Sequence, residues 1–190
     1  EGAFLVKQGE KTREMVLTAL LIALGIIIPI YFGFLRVVLP PAFTATLMAH
    51  VPIFIAMFIS PWSAVFTAIG TTAGFAFAGL SPVVTARAAS HIVFAVVGAM
   101  MIRRRWNLVA VGVVTALLHA LFEGLTVYVF LKFGLMAATE SSFVSAAFYV
   151  TGVGTLIHDT IDYIIACLIG LALAKAHIIA ALPPVLKKKA

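Results

Sequence analysis

Long apolar runs alternate with short polar or turn-forming interruptions along this chain, and each run is longer than the core stripe of a water-soluble helix requires. Six runs predict helices, over about 12–32, 42–60, 62–80, 82–102, 106–131 and 147–175. The interruptions are Gly33 and Arg36 followed by Pro40 and Pro41, Ser60 with Pro61, Gly79 to Pro82, Arg103 to Arg105, and the polar stretch Ala137 to Ser142. Each can end one helix or start the next, because proline lacks a backbone donor and glycine frees the chain to turn. A helix crosses a bilayer with about 20 residues, so six crossings use most of the 190 residues and leave short loops. The pattern predicts an all-α integral membrane protein, a single domain of six transmembrane helices over 1–190. Residues 1–10 read as a tail, since the run that follows is too long for a cleaved signal peptide.

Composition excludes a soluble domain: 63% of residues are hydrophobic and 11% charged, and the mean hydropathy is +1.17. The single Cys167 excludes an intrachain disulfide. No internal repeat marks a two-fold transporter. A net charge of +6 could suggest nucleic acid, but the cations sit at the ends of the runs. Lys7, Lys11 and Arg13 precede the first, Arg103, Arg104 and Arg105 interrupt the middle, and Lys175, Lys187, Lys188 and Lys189 follow the last. A nucleic-acid surface would need a water-facing stripe of cations with aromatics between them, and no partner of that kind is expected. With both termini cytoplasmic, those ten cations lie inside and only Arg36, Arg87 and Lys132 lie on the outer side, the positive-inside asymmetry of a multi-pass cell-membrane protein. Trp62 and Trp106 then fall at inner ends, and Tyr31, Tyr128 and Tyr149 near outer ends.

Eight ionisable groups fall where the bilayer should be: His50, Arg87, His91, His119, Glu123, His158, Asp159 and Asp162. A charge at mid-membrane costs about 2.5 to 3.5 kcal/mol on insertion scales, so these groups need one another or water. Arg87 with His91, His119 with Glu123, and His158 with Asp162 are four apart, which puts each pair on one helix face. Counted from the outer ends, Arg87, His91, Glu123 and His50 lie in the outer half and the others near the midplane, with almost no charge below. That layout predicts a pocket open to the outside and closed beneath, not a polar path through the membrane. Arg87, His91, His119, Glu123, His158 and Asp159 are the expected substrate-binding residues. Phe34, Phe143, Phe148 and Tyr149 are available to cover a ring at the mouth, with the loop from Lys132 to Ala146 as a lid. The structural alternative is that His119 with Glu123, or Arg87 with Asp159 or Asp162, are buried pairs that fix helix register. Asp162 in particular reads as a structural partner.

His119-x-x-x-Glu123 and His158-Asp159-x-x-Asp162 offer nitrogen and oxygen ligands for a divalent ion. No His-Glu-x-x-His occurs, however, and Arg87 would place a positive charge beside a cation, so no metal is assigned. No Gly-x-Ser-x-Gly and no phosphate-binding glycine loop occurs either, so no catalytic residue and no internal ATP site is expected.

Three stretches carry a family resemblance: Thr18-Ala19-Leu20-Leu21-Ile22-Ala23; Ala49-His50-Val51-Pro52-Ile53-Phe54-Ile55-Ala56 on to Ser60-Pro61-Trp62; and Arg87-Ala88-Ala89-Ser90-His91. Over about residues 11 to 178 the chain resembles the substrate-binding S components of bacterial energy-coupling factor (ECF) transporters, and the last two stretches are similar to the niacin-like subgroup. The resemblance implies a non-enzymatic subunit of an ABC-type importer that binds a vitamin near the outer face. Nicotinate is the first expectation, with hydroxymethylpyrimidine, pyridoxine or another B vitamin behind it. The small-residue surface around Ala19 and Ala23 would contact a transmembrane coupling subunit that carries two cytoplasmic ATPases, which bind the ATP, so the chain needs no cofactor of its own. Two other functions stay open on the residues alone. One is a proton-coupled secondary carrier that relays charge through His119 with Glu123 or Asp159 with Asp162. The other is an intramembrane metal-dependent hydrolase using His119, Glu123 and His158.

Overall fold

The computed structural model describes residues 2–39, 43–136 and 144–186, with side chains from residue 8 onward. Among these residues the chain forms α1 (Gly2–Tyr31), a 3-10 turn (Gly33–Leu35), β1 (Arg36–Leu39), β2 (Phe43–Thr46), α2 (Val51–Ile59), α3 (Pro61–Phe77), α4 (Pro82–Arg103), α5 (Leu108–Lys132), a π-helical segment (Ser145–Val153) and α6 (Gly154–Lys175). Among the described residues four stretches are long and apolar enough to cross a membrane: Gln8–Tyr31, Pro82–Arg103, Leu108–Lys132 and Ser145–Lys175. Ser145–Lys175 runs through the π-helical segment into α6.

The expected continuous helix over 42–60 is corrected by the structure. Phe43–Thr46 instead pairs antiparallel with Arg36–Leu39, in the register Arg36 to Thr46 and Leu39 to Phe43. A turn over 47–50 follows, and the helix proper is only the nine residues of α2. Val37, Val38, Thr44 and Thr46 are β-branched and suit a pleated strand, whereas average hydropathy, blind to branching, merges them with the helix. Strand backbone at membrane depth is tolerated where protein surrounds it, and Phe43, Ala45 and Thr46 are buried.

Ser60 and Pro61 separate α2 from α3 by a mechanism visible in the backbone. Ser60 is extended, at φ −164° and ψ 163°, its side chain accepts a 3.0 Å hydrogen bond from the Ser63 N–H, and Pro61 takes the first helical position, where a missing donor costs nothing. Thr18 donates to Ser63 Oγ at 2.8 Å, and the Ser60 hydroxyl donates to Glu14. The hinge is thereby tied to α1. Asn107 caps α5 in the same way, accepting from Ala110 N at 2.8 Å.

From Val51 to Phe58 every residue of α2 is buried, enclosed by α1, α3, α4 and α6. Phe54, Phe94 and Tyr163 meet there, with ring centroids 5.3 Å apart for Phe54–Phe94 and 5.1 Å for Phe54–Tyr163. Van der Waals packing of this kind is what holds helices together where the lipid is as apolar as the side chains. α1 approaches α3 closely at Gly70 and Gly74: a Cβ added at Gly74 would sit 2.7 Å from both the Gly25 carbonyl oxygen and Ile26 Cα. The spacing Gly70 to Gly74 thus works as a small-x-x-x-small contact. Ala19 and Ala23 point the other way and are exposed.

The arginine-rich turn after α4 is laced to the residues that follow α6. Arg105, at φ 59°, donates to the Ala181 carbonyl at 2.7 Å. The Leu108 and Val109 N–H groups, among those a helix start leaves without intrahelical partners, donate to Pro184 O at 2.9 Å and Val185 O at 3.2 Å.

Candidate functional site

At the opposite end of the bundle, beneath β2, side chains from α4, α5, α6 and the turn before α2 converge. Glu123 on α5 is the hub. Its Oε2 accepts from Arg87 NH2 at 2.7 Å and from the Thr155 hydroxyl, and its Oε1 lies 3.2 Å from His91 Nε2 and 3.5 Å from His119 Nε2. Arg87 also reaches β2, donating to Thr44 Oγ1 and Thr44 O at 3.3 Å each, and its guanidinium lies 5.7 Å from the Phe43 ring centroid. Deeper in, His119 Nδ1 is 2.6 Å from Asp159 Oδ1.

Asp162 organises the turn before α2. Its two oxygens accept from Met48 N at 2.9 Å and His50 N at 3.1 Å, and Oδ2 lies 3.2 Å from His50 Nδ1 and 3.5 Å from His158 Nε2. Met48 has a positive φ of 69°, a costly conformation for a residue with a Cβ. The carboxylate clamp on either side offsets that strain. Asp162 is therefore the structural partner that its depth in the sequence suggested.

The histidines form a packed group. The His50 ring centroid is 4.6 Å from His91, 4.5 Å from His119 and 4.8 Å from His158, and His91 and His119 are 4.7 Å apart. Phe94 lies beneath, 4.6 Å from the His119 ring, and starts the apolar floor that continues through Phe54. Asp159 and Asp162 are fully buried, and Arg87, His91, His119 and Glu123 are nearly so.

All six residues expected from the sequence, Arg87, His91, His119, Glu123, His158 and Asp159, are thus brought into one connected cluster. Two expectations are corrected. Arg87 pairs with Glu123 and not with Asp159 or Asp162, because Glu123 faces it across the α4–α5 interface. The pocket is also nearly filled: the space bounded by Thr44, Thr46, His50, Arg87, Glu123 and His158 is about 10 Å³, room for about one water. Residues of β2 form its roof.

The residue that sequence reasoning left out of the site is His50, which is central to it. Its signal was present, as a histidine in an otherwise uncharged run just before Pro52. The aromatic cover differs too: Phe43 and Phe75 are buried beside the cluster, whereas Phe34 and Tyr149 are strongly exposed and Phe148 stacks toward Tyr128 at 6.4 Å. Phe143 and most of the expected lid, including Thr139, Glu140, Ser141 and Ser142, lie outside the described residues.

Chemically, the arrangement is a buried pocket carrying a guanidinium, imidazoles that can donate or accept, and carboxylates that accept. Such a set suits a small ligand with both a ring nitrogen and an anionic group. Sequence comparison gives one informative relative: the chain is 33% identical over 173 residues, 87% of its own length and 77% of the other, to the niacin transporter NiaX of Lactococcus lactis subsp. cremoris (strain MG1363). No family profile matches the chain, and no solved structure matches it.

Proposed function

We propose that this chain, which belongs to the S components of energy-coupling factor transporters and to their niacin-like subgroup, captures nicotinate at the outer face of the bacterial cell membrane and passes it inward with partner subunits. It is a membrane transport protein for vitamin uptake and not an enzyme. The observation that carries the substrate reading is the closed cluster around Glu123, in which one guanidinium and four imidazoles share a pocket with aromatic walls. A pyridine carboxylate offers a carboxylate for Arg87 to fork and a ring nitrogen for an imidazole to meet. The roof contributed by β2 explains how such a ligand is kept from water once bound.

In this reading both termini are cytoplasmic and the chain crosses six times. The second crossing is the composite of β2, the turn and α2, and the third is α3, whose 17 residues span about 25 Å. The arginine-rich turn then faces the cytoplasm, in accord with the positive-inside rule. Among the described residues the apolar floor below the cluster offers no polar route across, so in this reading the whole subunit reorients to deliver its cargo. That is the task of a coupling subunit bound at Ala19 and Ala23 and of two ATPases in trans. A proton-driven carrier would need the missing route.

Two measurements test this. Purified protein titrated with nicotinate should bind it, and nicotinamide, lacking the anionic group, should bind at least tenfold more weakly; equal affinity would remove the role given to Arg87. Reconstituted alone in proteoliposomes, the chain should show no uptake under a pH gradient, and uptake there would establish the secondary carrier instead. A substitution separates capture from delivery. Ala23→Trp should leave nicotinate affinity unchanged while abolishing ATP-dependent uptake in cells that express the partner subunits, since a bulky ring on the exposed face of α1 blocks close helix approach.

A further inference from the structure

Three of the buried histidines share one arrangement. In each, a carboxylate holds one ring nitrogen: Asp162 is 3.2 Å from His50 Nδ1, Glu123 is 3.2 Å from His91 Nε2, and Asp159 is 2.6 Å from His119 Nδ1. An ionised carboxylate accepts and cannot donate, so each contact places the ring proton on that nitrogen and leaves a lone pair on the other. Those other nitrogens, His50 Nε2, His91 Nδ1 and His119 Nε2, are buried and have no hydrogen-bond partner among the described residues, although His119 Nε2 also lies 3.5 Å from Glu123 Oε1. One ligand nitrogen from each of the three rings lies within 4.8 Å of the others. Buried lone pairs that no donor meets are costly.

The charge inventory points the same way. Glu123, Asp159 and Asp162 are buried carboxylates, and among the described residues Arg87 is the buried guanidinium that answers them. With neutral imidazoles the cluster carries two uncompensated negative charges, which a divalent cation would cancel. Arg87 is no obstacle to such an ion, because its own charge is matched at 2.7 Å by Glu123.

We infer that His50, His91 and His119 form a site for a divalent first-row transition ion, Zn²⁺ foremost, with Asp162, Glu123 and Asp159 as the outer carboxylates that orient the rings. Histidine–carboxylate pairs of this kind fix the tautomer of metal-ligating imidazoles generally. Three protein ligands leave a fourth tetrahedral position open. Resting on the vitamin-capture reading, that position takes the pyridine nitrogen or the carboxylate of nicotinate. A second group, His50 with His158 and Asp162, also has ligand atoms within 4.8 Å, but the Asp162 oxygens are already engaged by Met48 N, His50 N and His50 Nδ1.

The test uses the full chain purified without a polyhistidine tag, stripped with a chelator and titrated with Zn²⁺ or Co²⁺ alone. One ion per chain is expected, with the intense visible absorption of four-coordinate Co²⁺. Absence of uptake, or the weak spectrum of octahedral Co²⁺, overturns the site and leaves charge balance to protonated imidazoles. His50→Ala, His91→Ala and His119→Ala should each weaken Zn²⁺ binding at least tenfold, and the wild-type Co²⁺ spectrum decides the matter if these variants do not fold. Loss of binding in His158→Ala with retention in His91→Ala would move the ion to the second group and overturn the assignment. Nicotinate affinity should fall at least tenfold on stripping. Equal affinity in both states would overturn the ion's part in vitamin binding, whereas ion uptake with no nicotinate binding in either state would overturn the vitamin reading and leave the metal centre standing.

Discussion

Replacing Glu123 with methionine is expected to lower the unfolding free energy of the protein by about 3–5 kcal/mol, the cost of stranding a buried charge when its partner is removed. Four groups depend on this one carboxylate, namely Arg87, His91, His119 and Thr155, and nearly all of that polarity is shielded from water. The guanidinium of Arg87 would lose its 2.7 Å partner while its longer contacts to Thr44 remained. A second substitution makes the cause legible: Arg87→Met combined with Glu123→Met removes both charges and should recover most of the loss, since a buried pair replaced by apolar groups of similar volume is often close to neutral. Unfolding in detergent, followed by heat or denaturant, measures both. A single variant as stable as wild type would show that Glu123 is not the hub, and a double variant no better than the single would show that Arg87 is not its main dependent. Both variants should lose nicotinate binding, so stability and affinity separate in the double variant alone.

The second large effect is expected at Gly74. Even an alanine Cβ there would lie 2.7 Å from the Gly25 carbonyl oxygen and from Ile26 Cα, and backbone cannot swing aside as a side chain can. Gly74→Val must therefore push α1 away from α3, and overpacking of this kind costs about 1–3 kcal/mol or more. The displacement also pulls on Thr18, which ties α1 to Ser63 at the hinge. Gly9→Ala is the matched control, because nothing lies within 4 Å of a Cβ at that position. Thermal unfolding should show a clear drop for the first and none for the second; parity between them would mean that the α1–α3 contact is looser than the backbone approach implies.

Much of the helical scaffold could be read from the chain because membrane crossing is a demand on length and polarity, both of which sequence displays directly. α1, α4, α5 and α6 fall close to the expected runs, and Ser60 with Pro61 marks a real boundary. What escaped was local: Phe43–Thr46 runs into the helix after it with no Gly, Pro or charged carboxylate before Pro52, so a hydropathy window could not separate them, although the alternation of threonines carried a strand signal. The π-helical start of the last long segment left no comparable mark.

For the site, i, i+4 spacing put His119 beside Glu123 and His158 beside Asp162, and both contacts exist at 3.5 Å. The stronger pairings, Arg87 with Glu123 and His119 with Asp159, join different helices. Spacing within one helix says nothing about which neighbour's side chain lies opposite. His50 illustrates the same limit, since only the folding of the turn over 47–50 brings it to the centre of the other three rings.

The roof over the cluster has a kinetic consequence. With about 10 Å³ beneath it, a ligand the size of a pyridine carboxylate cannot enter until β2 lifts from Arg87 and the Thr44 contacts break. The observed association rate should then climb with ligand concentration only until it meets the rate of lifting and level off there, whereas an open site would give a rate that keeps rising in proportion to concentration. Escape waits on the same movement, so a captured molecule dwells for long periods.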